Sequence, residues 1–381
     1  MTDFPTLNWS DEQGTHVARW RSEAGVPAPK RVVIADDRIT ADAAWRLACE
    51  GTALLWHGDF QNARQLLQAM ARRVERKPHK KAKSPPPSPR DAFNLHRLAQ
   101  AQRARTLGML LIPLAADYTI ALRRAPDVKQ ACEEVYGEAG PSGDTGSVVS
   151  LRELLGLIGA HEWRKKGVEI PALGDRIHPY YGVFSPVRGE YLDLVASAPL
   201  PSQAKAFDIG TGTGVIAAVL AKRGVKHIVA TDQDPRALAC ARENLARLGY
   251  ASQVDVVQAD LFPEGRAPLV VCNPPWVPAR PSSPVEHAVF DPESRMLLGF
   301  LNGLKDHLEP GGEGWLILSD FAEHLGLRTR DELLAAIDAA GLEVAGRENI
   351  RPRHPKAADP TDPLFKARAA EVTSLWRLKV R

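Results

Sequence analysis

The chain has 381 residues, which at about 150 residues per domain predicts two or three domains. Apolar residues make up 44% and charged residues 25%, a globular composition that excludes wholesale disorder. The longest apolar stretch is far shorter than the ~20 residues of a membrane helix, and the polar N-terminus lacks a secretory signal. We therefore expect a cytoplasmic protein without membrane contact. The four cysteines lie far apart with no CxxC pair, so we expect no metal site.

Two segments carry a local excess of positive charge, although the formal net charge is only +3. Residues 72–90 contain eight basic residues against one acidic residue, and residues 347–381 contain nine against four. Basic segments of this kind favour contact with RNA or another polyanion. A solvated linker and a solvated tail would have the same composition, so this interpretation stays open.

The first half of the chain predicts a small α/β domain. Strands are expected at Arg31–Ile34 and Thr52–Trp56, each followed by a helix-like stretch, which is the alternation of a parallel sheet. No glycine-rich loop follows the first strand. We therefore interpret residues 28–149 as an accessory domain for substrate recognition, preceded by an N-terminal tail at 1–27. Within this domain, proline and lysine at 77–90 predict an exposed basic loop.

The second half of the chain predicts a larger α/β domain. Residues 150–184 predict a helix and a β-hairpin that link the two halves, and residues 185–381 alternate regularly between strands and helices. The expected strands of this domain end at Asp208, Thr231, Val257, Cys272 and Leu318.

A glycine-rich loop, Asp208-Ile-Gly-Thr-Gly-Thr-Gly214, directly follows the first of these strands. Its glycines allow a tight turn and let the backbone approach a ligand closely. The spacing is G-x-G-x-G rather than the dinucleotide pattern G-x-G-x-x-G, which argues against a nicotinamide cofactor and leaves an oxidoreductase as an alternative to be tested. A tight strand–helix turn that binds nothing is the structural alternative.

Carboxylates follow the next two strands. Asp232 stands 24 residues after Asp208, where a carboxylate can accept hydrogen bonds from both hydroxyls of a ribose. Asp234 is better explained as the N-cap of the helix that begins at Pro235. Asp260 follows the third strand, where it can meet an adenine edge.

The fourth strand leads into Val271-Cys-Asn-Pro-Pro-Trp276, the most informative motif of the chain. Two consecutive prolines lock the backbone, so Asn273 and the Pro274 carbonyl are expected to present two acceptors at one point. A single NH2 group could donate to both of them, and Trp276 would offer a flat face to a planar target. The structural alternative is a rigid turn beside a core tryptophan.

The stretch from Asp208 to Leu318 resembles class I S-adenosylmethionine-dependent methyltransferases. Asn-Pro-Pro-Trp is similar to the (Asn/Asp)-Pro-Pro-(Tyr/Phe/Trp) motif of enzymes that methylate amide or exocyclic amine nitrogens. Within that group the chain is most similar to HemK-type protein glutamine methyltransferases, over residues 150–345 and including Gly182–Tyr191 and Phe290–Gly299. The resemblance implies a Rossmann-like domain with a mostly parallel sheet, and S-adenosylmethionine as the cofactor.

The resemblance also implies which residues form the site. The implied cofactor-binding residues belong to the glycine loop, the next two strand ends and the motif: Asp208, Gly210, Thr211, Gly212, Gly214, Asp232, Gln233, Asp260, Leu261 and Asn273. The implied catalytic residues are those of the motif: Asn273, Pro274, Pro275 and Trp276.

Three departures from the HemK type bear on the substrate. Trp276 stands where those enzymes usually have tyrosine, residues 28–125 predict α/β structure instead of a helical bundle, and residues 351–368 are an addition. Two α/β halves resemble ribosomal RNA guanine methyltransferases with a degenerate N-terminal copy. We expect a protein glutamine of the translation apparatus, in a ribosomal protein or a release factor, as the acceptor. The alternatives are an rRNA guanine or adenine, or a non-catalytic protein that binds RNA or the ribosome.

Overall fold

The computed structural model describes residues 4–12, 14–75, 88–141, 144–187, 189–281, 286, 288–353 and 359–381. The chain forms two compact units, residues 1–85 with 95–162, and residues 86–94 with 163–381. Both units are α/β, which confirms the predicted fold class.

The first unit is built on a six-stranded sheet with the order β1-β2-β6-β5-β4-β3. Its strands are β1 (Thr6–Asp11), β2 (Gly14–Arg21), β3 (Arg31–Ala35), β4 (Thr52–Trp56), β5 (Leu110–Leu114) and β6 (Ser147–Ser150). Its helices are α1 (Ala41–Cys49), α2 (Phe60–Glu75), α3 (Pro89–Leu107), α4 (Lys129–Tyr136) and α5 (Leu151–Lys166), of which α3 and α5 cross the division between the units. Every residue of β4 is buried, as expected for a central parallel strand covered on both faces.

The prediction of an N-terminal tail at 1–27 is wrong, because β1 and β2 form an antiparallel hairpin at the edge of this sheet. Leu7 and Trp20 point into the core while Asn8 and Val17 lie exposed on the other face. This alternation of Thr-Leu-Asn-Trp was the available sequence signal. Residues 77–87 of the predicted basic loop lie outside the described residues, and its last two residues, Pro89 and Arg90, are not loop because they begin α3.

The second unit is built on a seven-stranded sheet with the order β11-β10-β9-β12-β13-β15-β14. Its sheet strands are β9 (Lys205–Ile209), β10 (His227–Asp232), β11 (Val254–Gln258), β12 (Ala267–Cys272), β13 (Leu308–Ser319), β14 (Leu342–Ile350) and β15 (Thr373–Val380), and a separate hairpin contains β7 (Val168–Ile170) and β8 (Asp175–Ile177). Its helices are α6 (Glu190–Ser197), α7 (Val215–Lys222), α8 (Pro235–Arg247), α9 (Arg295–His307), α10 (Phe321–His324), α11 (Arg330–Ala339) and α12 (Phe365–Ala370).

The prediction that residues 150–184 form a separate linker is wrong, because both of its elements belong to the cores of the two units. Leu151 and Leu154 of α5 are fully buried in the core of the first unit. Val168 and Ile177 of the β7–β8 hairpin are buried in the core of the second. The hairpin itself is confirmed, and so are the five predicted strands of the second half.

The second sheet positions the site through its topology. Strands β9 to β13 run parallel, so their carboxyl ends meet at one edge. β9 lies between β10 and β12, and the strand order reverses there. In open α/β sheets, ligands bind in the crevice at such a reversal.

Candidate active site

The glycine-rich loop connects the end of β9 to α7. Gly210 has φ +71° and Gly212 has φ +55°, a left-handed region that favours glycine. A Cβ at Gly210 would collide with the Met296 methyl, whereas a Cβ at Gly212 would meet no atom within 4 Å. The Met296 side chain therefore fills the space beside Gly210, whereas the space beside Gly212 is free and leaves room for a ligand next to the backbone.

Asp208 lies beneath this loop with no exposed surface. Its Oδ2 accepts hydrogen bonds from the Thr211 hydroxyl at 2.7 Å and from the Ala217 amide at 3.1 Å. Its Oδ1 has no partner among the described residues. Burial raises the pKa of Asp208 to about 6. A buried carboxylate with one unused oxygen beside an open loop fits a ligand that carries positive charge or hydrogen-bond donors.

Asp232 ends β10 and lies opposite the loop. Its Oδ2 accepts from the Gly212 amide at 3.0 Å, and its Oδ1 accepts from the Asp234 amide at the same distance. Burial raises the pKa of Asp232, although these backbone hydrogen bonds oppose the shift. Asp234 caps α8 through the Arg236 amide, as predicted. The glycine loop and the β10 end are thus joined directly through one carboxylate.

The predicted adenine-side residues form an exposed polar group. The Gln233 amide donates to Asp260 Oδ1, and the Arg295 guanidinium donates to Asp260 Oδ2 at 3.0 Å. Leu261 has φ +76°, which is unusual for a leucine and marks local backbone strain. Arg295 was not predicted, because it comes from α9, 35 positions beyond Asp260.

The Asn-Pro-Pro-Trp motif follows β12 and brings Asn273 to the same edge as Asp208. The indole N–H of Trp276 donates to Asn273 Oδ1 at 2.9 Å. Pro274 is buried, and Asn273, Pro275 and Trp276 are half-buried. The Trp276 ring packs against apolar clusters on both faces of the sheet. Besides any flat face that it offers, Trp276 therefore holds the Asn273 carboxamide in place.

Tyr191 of α6 ends the stretch Gly182–Tyr191 that carries the family resemblance, but the sequence analysis did not name it as a site residue. It is 2% exposed, and its ring lies edge-on to Trp276, with the centroids 6.5 Å apart and the planes at 88°. Burial and the Asp208 charge raise the pKa of Tyr191, and a hydrogen bond from the Asn273 side chain opposes this shift. Tyr191 and Trp276 thus place two aromatic rings beside Asn273, and the indole N–H of Trp276 holds its carboxamide oxygen.

Asp291 anchors the segment after the motif. It is buried, and its carboxylate accepts from the Met296 amide at 3.0 Å and the Leu297 amide at 3.1 Å, at the start of α9. Its own amide donates to the Val277 carbonyl at 2.9 Å, which ties α9 to the residue after Trp276. This explains why the sequence from Phe290 belongs with the motif.

The second basic segment is largely occupied by ion pairs within the second unit. Arg377 pairs with Glu313, Arg381 with Asp338, Arg368 with Asp362 and Arg353 with Asp193. Residues 354–358 lie outside the described residues. Residues 347–381 are therefore not a simple solvated tail, because several of their arginines form ion pairs within the second unit. These pairs also reduce the positive charge that is available to a polyanion.

Within the described ranges, no group of three or more histidine, cysteine, aspartate and glutamate side chains could hold a metal ion. No helix in the same ranges combines the length and the apolar character that a bilayer span requires.

Comparison with known proteins finds similarity over the range of the chain that contains this site. Residues 182–330 match the methyltransferase small domain family. A release factor glutamine methyltransferase of Cereibacter sphaeroides is 39% identical over 166 residues, covering 42% of this chain and 56% of that protein. A release factor glutamine methyltransferase of Geobacter sulfurreducens is 32% identical, covering 37% of the chain and 52% of that protein. A ribosomal protein L11 methyltransferase of Pelotomaculum thermopropionicum is 38% identical, covering 37% and 39%.

The chain thus spans about 39 to 56% of the length of these relatives. The matched range contains the glycine loop, Asp232, Asp260 and the Asn-Pro-Pro-Trp motif. Residues 182–330 are therefore similar to a methyltransferase small domain.

Proposed function

We propose that the protein is an S-adenosylmethionine-dependent N-methyltransferase that acts on a glutamine side chain of a protein of the translation apparatus. The observation that carries the proposal is Asn273 at the carboxyl edge of β12, oriented by Trp276, beside a glycine loop with a buried, half-satisfied Asp208. The names of the relatives support a macromolecular acceptor.

In this proposal the cofactor occupies the crevice between the ends of β9, β10 and β12. Asp208 and the loop residues Gly210, Thr211, Gly212 and Gly214 hold its methionine end and sugar. Asp232 accepts from the ribose, with Gln233 beside it, and Asp260 with Leu261 borders the adenine. The unused Oδ1 of Asp208 and the open space at Gly212 support this assignment.

The acceptor group would lie against the Asn-Pro-Pro-Trp motif. An amide nitrogen is a weak nucleophile because its lone pair is delocalised into the carbonyl. Oδ1 of Asn273 still has one lone pair after accepting from Trp276, and with the Pro274 carbonyl it can accept both N–H groups of an acceptor NH2. The bound cofactor supplies an electrophilic methyl group on a sulfonium, so the chain has mainly to position the nitrogen. The proton can leave after transfer, and no strong base is required.

The specific support for a protein acceptor over RNA is charge. Five of the eight described cations in 347–381 are paired with carboxylates, which weakens the case for a polyanion at one of the two basic segments. Residues 72–90 still fit a basic contact with the ribosome. We assign substrate recognition to the first unit, in which no glycine-rich loop follows β3, the strand that the sequence analysis took as its first.

The test is transfer of labelled methyl from S-adenosylmethionine to a lysate of cells that lack the gene. The Asn273→Ala variant is the negative control, and Asn302→Ala, on the exposed face of α9, is the matched control. Label that survives nuclease, is lost to protease and maps to a glutamine supports the proposal. Label lost to nuclease would establish an RNA methyltransferase instead. Cofactor binding without any transfer would favour the non-catalytic alternative.

A further inference from the structure

Arg328 is a buried arginine that the site described so far does not use. It lies between α10 and α11, after the carboxyl end of β13, and is 8% exposed. Its Nε and Nη2 are fully buried and have no hydrogen-bond partner in the ranges that the structure describes. These two nitrogens form one edge of the guanidinium, and such an edge binds two oxygens in parallel, the geometry of a carboxylate.

The surroundings of Arg328 connect it to the acceptor side of the site. Its neighbour Leu327 packs in the same apolar cluster as Trp276 and Val277. Burial lowers the pKa of Arg328, and the charges of Glu323 and Asp291 oppose the shift. Asp291 is the residue whose amide donates to Val277 at 2.9 Å. Arg328 thus directly follows a residue of the apolar cluster that contains Trp276 and Val277.

A structural role alone does not account for this arrangement. Buried polar groups are normally satisfied, and an unsatisfied charged donor destabilises the fold. Arg223 shows how the same chain treats an arginine that serves the fold: its terminal nitrogens donate to the Val195 and Ala198 carbonyls, each at 2.6 Å. Arg328 keeps a buried, unused two-pronged donor next to Leu327, whose cluster holds Trp276 and Val277, and a buried donor without a partner calls for an explanation such as a ligand.

We propose that Arg328 binds a carboxylate of the acceptor polypeptide, on a side chain near the methylated glutamine. This inference rests on the proposed function. Binding has to displace the side chains that cover Nε and Nη2, and a carboxylate on a slender aliphatic stem needs a smaller opening than a nucleic-acid phosphate, which carries a sugar on either side. The nearby carboxylates of Glu323 and Asp291 also disfavour a strand of repeated phosphates.

The experiment compares Arg328→Met with Arg223→Met, using a purified bacterial release factor as the acceptor. Arg328→Met should raise the KM for the release factor about tenfold or more. The Kd for S-adenosylmethionine should change less than about twofold, and the thermal midpoint should be equal to or above the wild type, because an unpaired buried charge is removed. Arg223→Met should lower the thermal midpoint, since it removes satisfied hydrogen bonds.

A second arm locates the carboxylate on the acceptor. Each acidic residue of the release factor near the methylated glutamine is replaced by its amide. One replacement should raise the KM of the wild type as much as Arg328→Met does, and should have no further effect on that variant. An unchanged KM for the release factor in Arg328→Met would overturn the inference. A loss confined to S-adenosylmethionine affinity, or a fall in thermal midpoint that accounts for the lost activity, would overturn it as well.

The two proposals fail in different ways. If the wild type transfers methyl to RNA, or to no acceptor, the proposed function fails and the inference with it. If the wild type methylates the release factor and Arg328→Met does so equally well, only the inference about Arg328 fails.

Discussion

The replacement Asp208→Asn tests the electrostatics of the glycine loop. Burial raises the pKa of Asp208 to about 6 in the folded chain, against about 3.9 for an unperturbed aspartate. A raised carboxyl pKa means that the folded state binds the proton more tightly than the unfolded state does. This group therefore destabilises the fold progressively as the pH rises from about 4 to 6, by about 3 kcal/mol in full. Between pH 4.5 and 7.5 the change is about 2 kcal/mol.

Asparagine cannot ionise, and its carbonyl oxygen can keep the hydrogen bonds from Thr211 and Ala217. The free energy of unfolding of Asp208→Asn, relative to the wild type, should therefore rise by about 2 kcal/mol from pH 4.5 to pH 7.5. Urea unfolding of both proteins at the two pH values measures this difference, in which the titration of other groups cancels. A relative stability that stays constant or falls with pH would refute the assigned burial of Asp208.

The remaining predictions concern cofactor and acceptor. Cationic S-adenosylmethionine should bind best when Asp208 is ionised. The Kd for S-adenosylmethionine, measured by calorimetry, should therefore rise towards tenfold per pH unit below about pH 6 in the wild type, and should show no such rise in Asp208→Asn. Asp232→Ala should raise that Kd about 10- to 100-fold because charged hydrogen bonds are lost. Asn273→Ala should leave the Kd nearly unchanged and lower kcat on the order of 100-fold; the reverse pattern for these two variants would overturn the assignment. Trp276→Phe removes the hydrogen bond to Asn273 Oδ1 and should lower kcat about 2- to 10-fold with an unchanged cofactor Kd, and a fall in cofactor affinity alone would contradict that role.

The sequence predicts the parts of the site that depend on local chain geometry. Glycines in the G-x-G-x-G loop and the two prolines after β12 restrict the backbone in ways that the sequence alone predicts. The carboxylate at the end of β10 is identified by its position after a predicted strand. Parallel strands then bring their carboxyl ends to one edge. Asp208, Asp232 and Asn273 could therefore be placed together before the structure was known.

The parts that could not be predicted depend on long-range packing. Tyr191 reaches Trp276 from α6, 85 positions earlier, and within the stretch Gly182–Tyr191 nothing distinguishes it from a core tyrosine. Arg328 stands among other charged residues, and only its burial separates it from Arg330, which pairs with Glu323. The β1–β2 hairpin was missed because its short polar face resembles a tail in composition.

The position of the indole N–H explains why tryptophan can occupy the aromatic position of the motif. A tyrosine in place of Trp276 would put its donor at the far end of the ring, whereas the indole carries its N–H on the edge near the backbone. That edge reaches Oδ1 of Asn273, three residues earlier, at 2.9 Å. This hydrogen bond orients the carboxamide before any acceptor binds, which reduces the entropy lost on binding. Tryptophan at this position is therefore compatible with a small amide acceptor, and it does not by itself require a larger planar target such as a nucleobase.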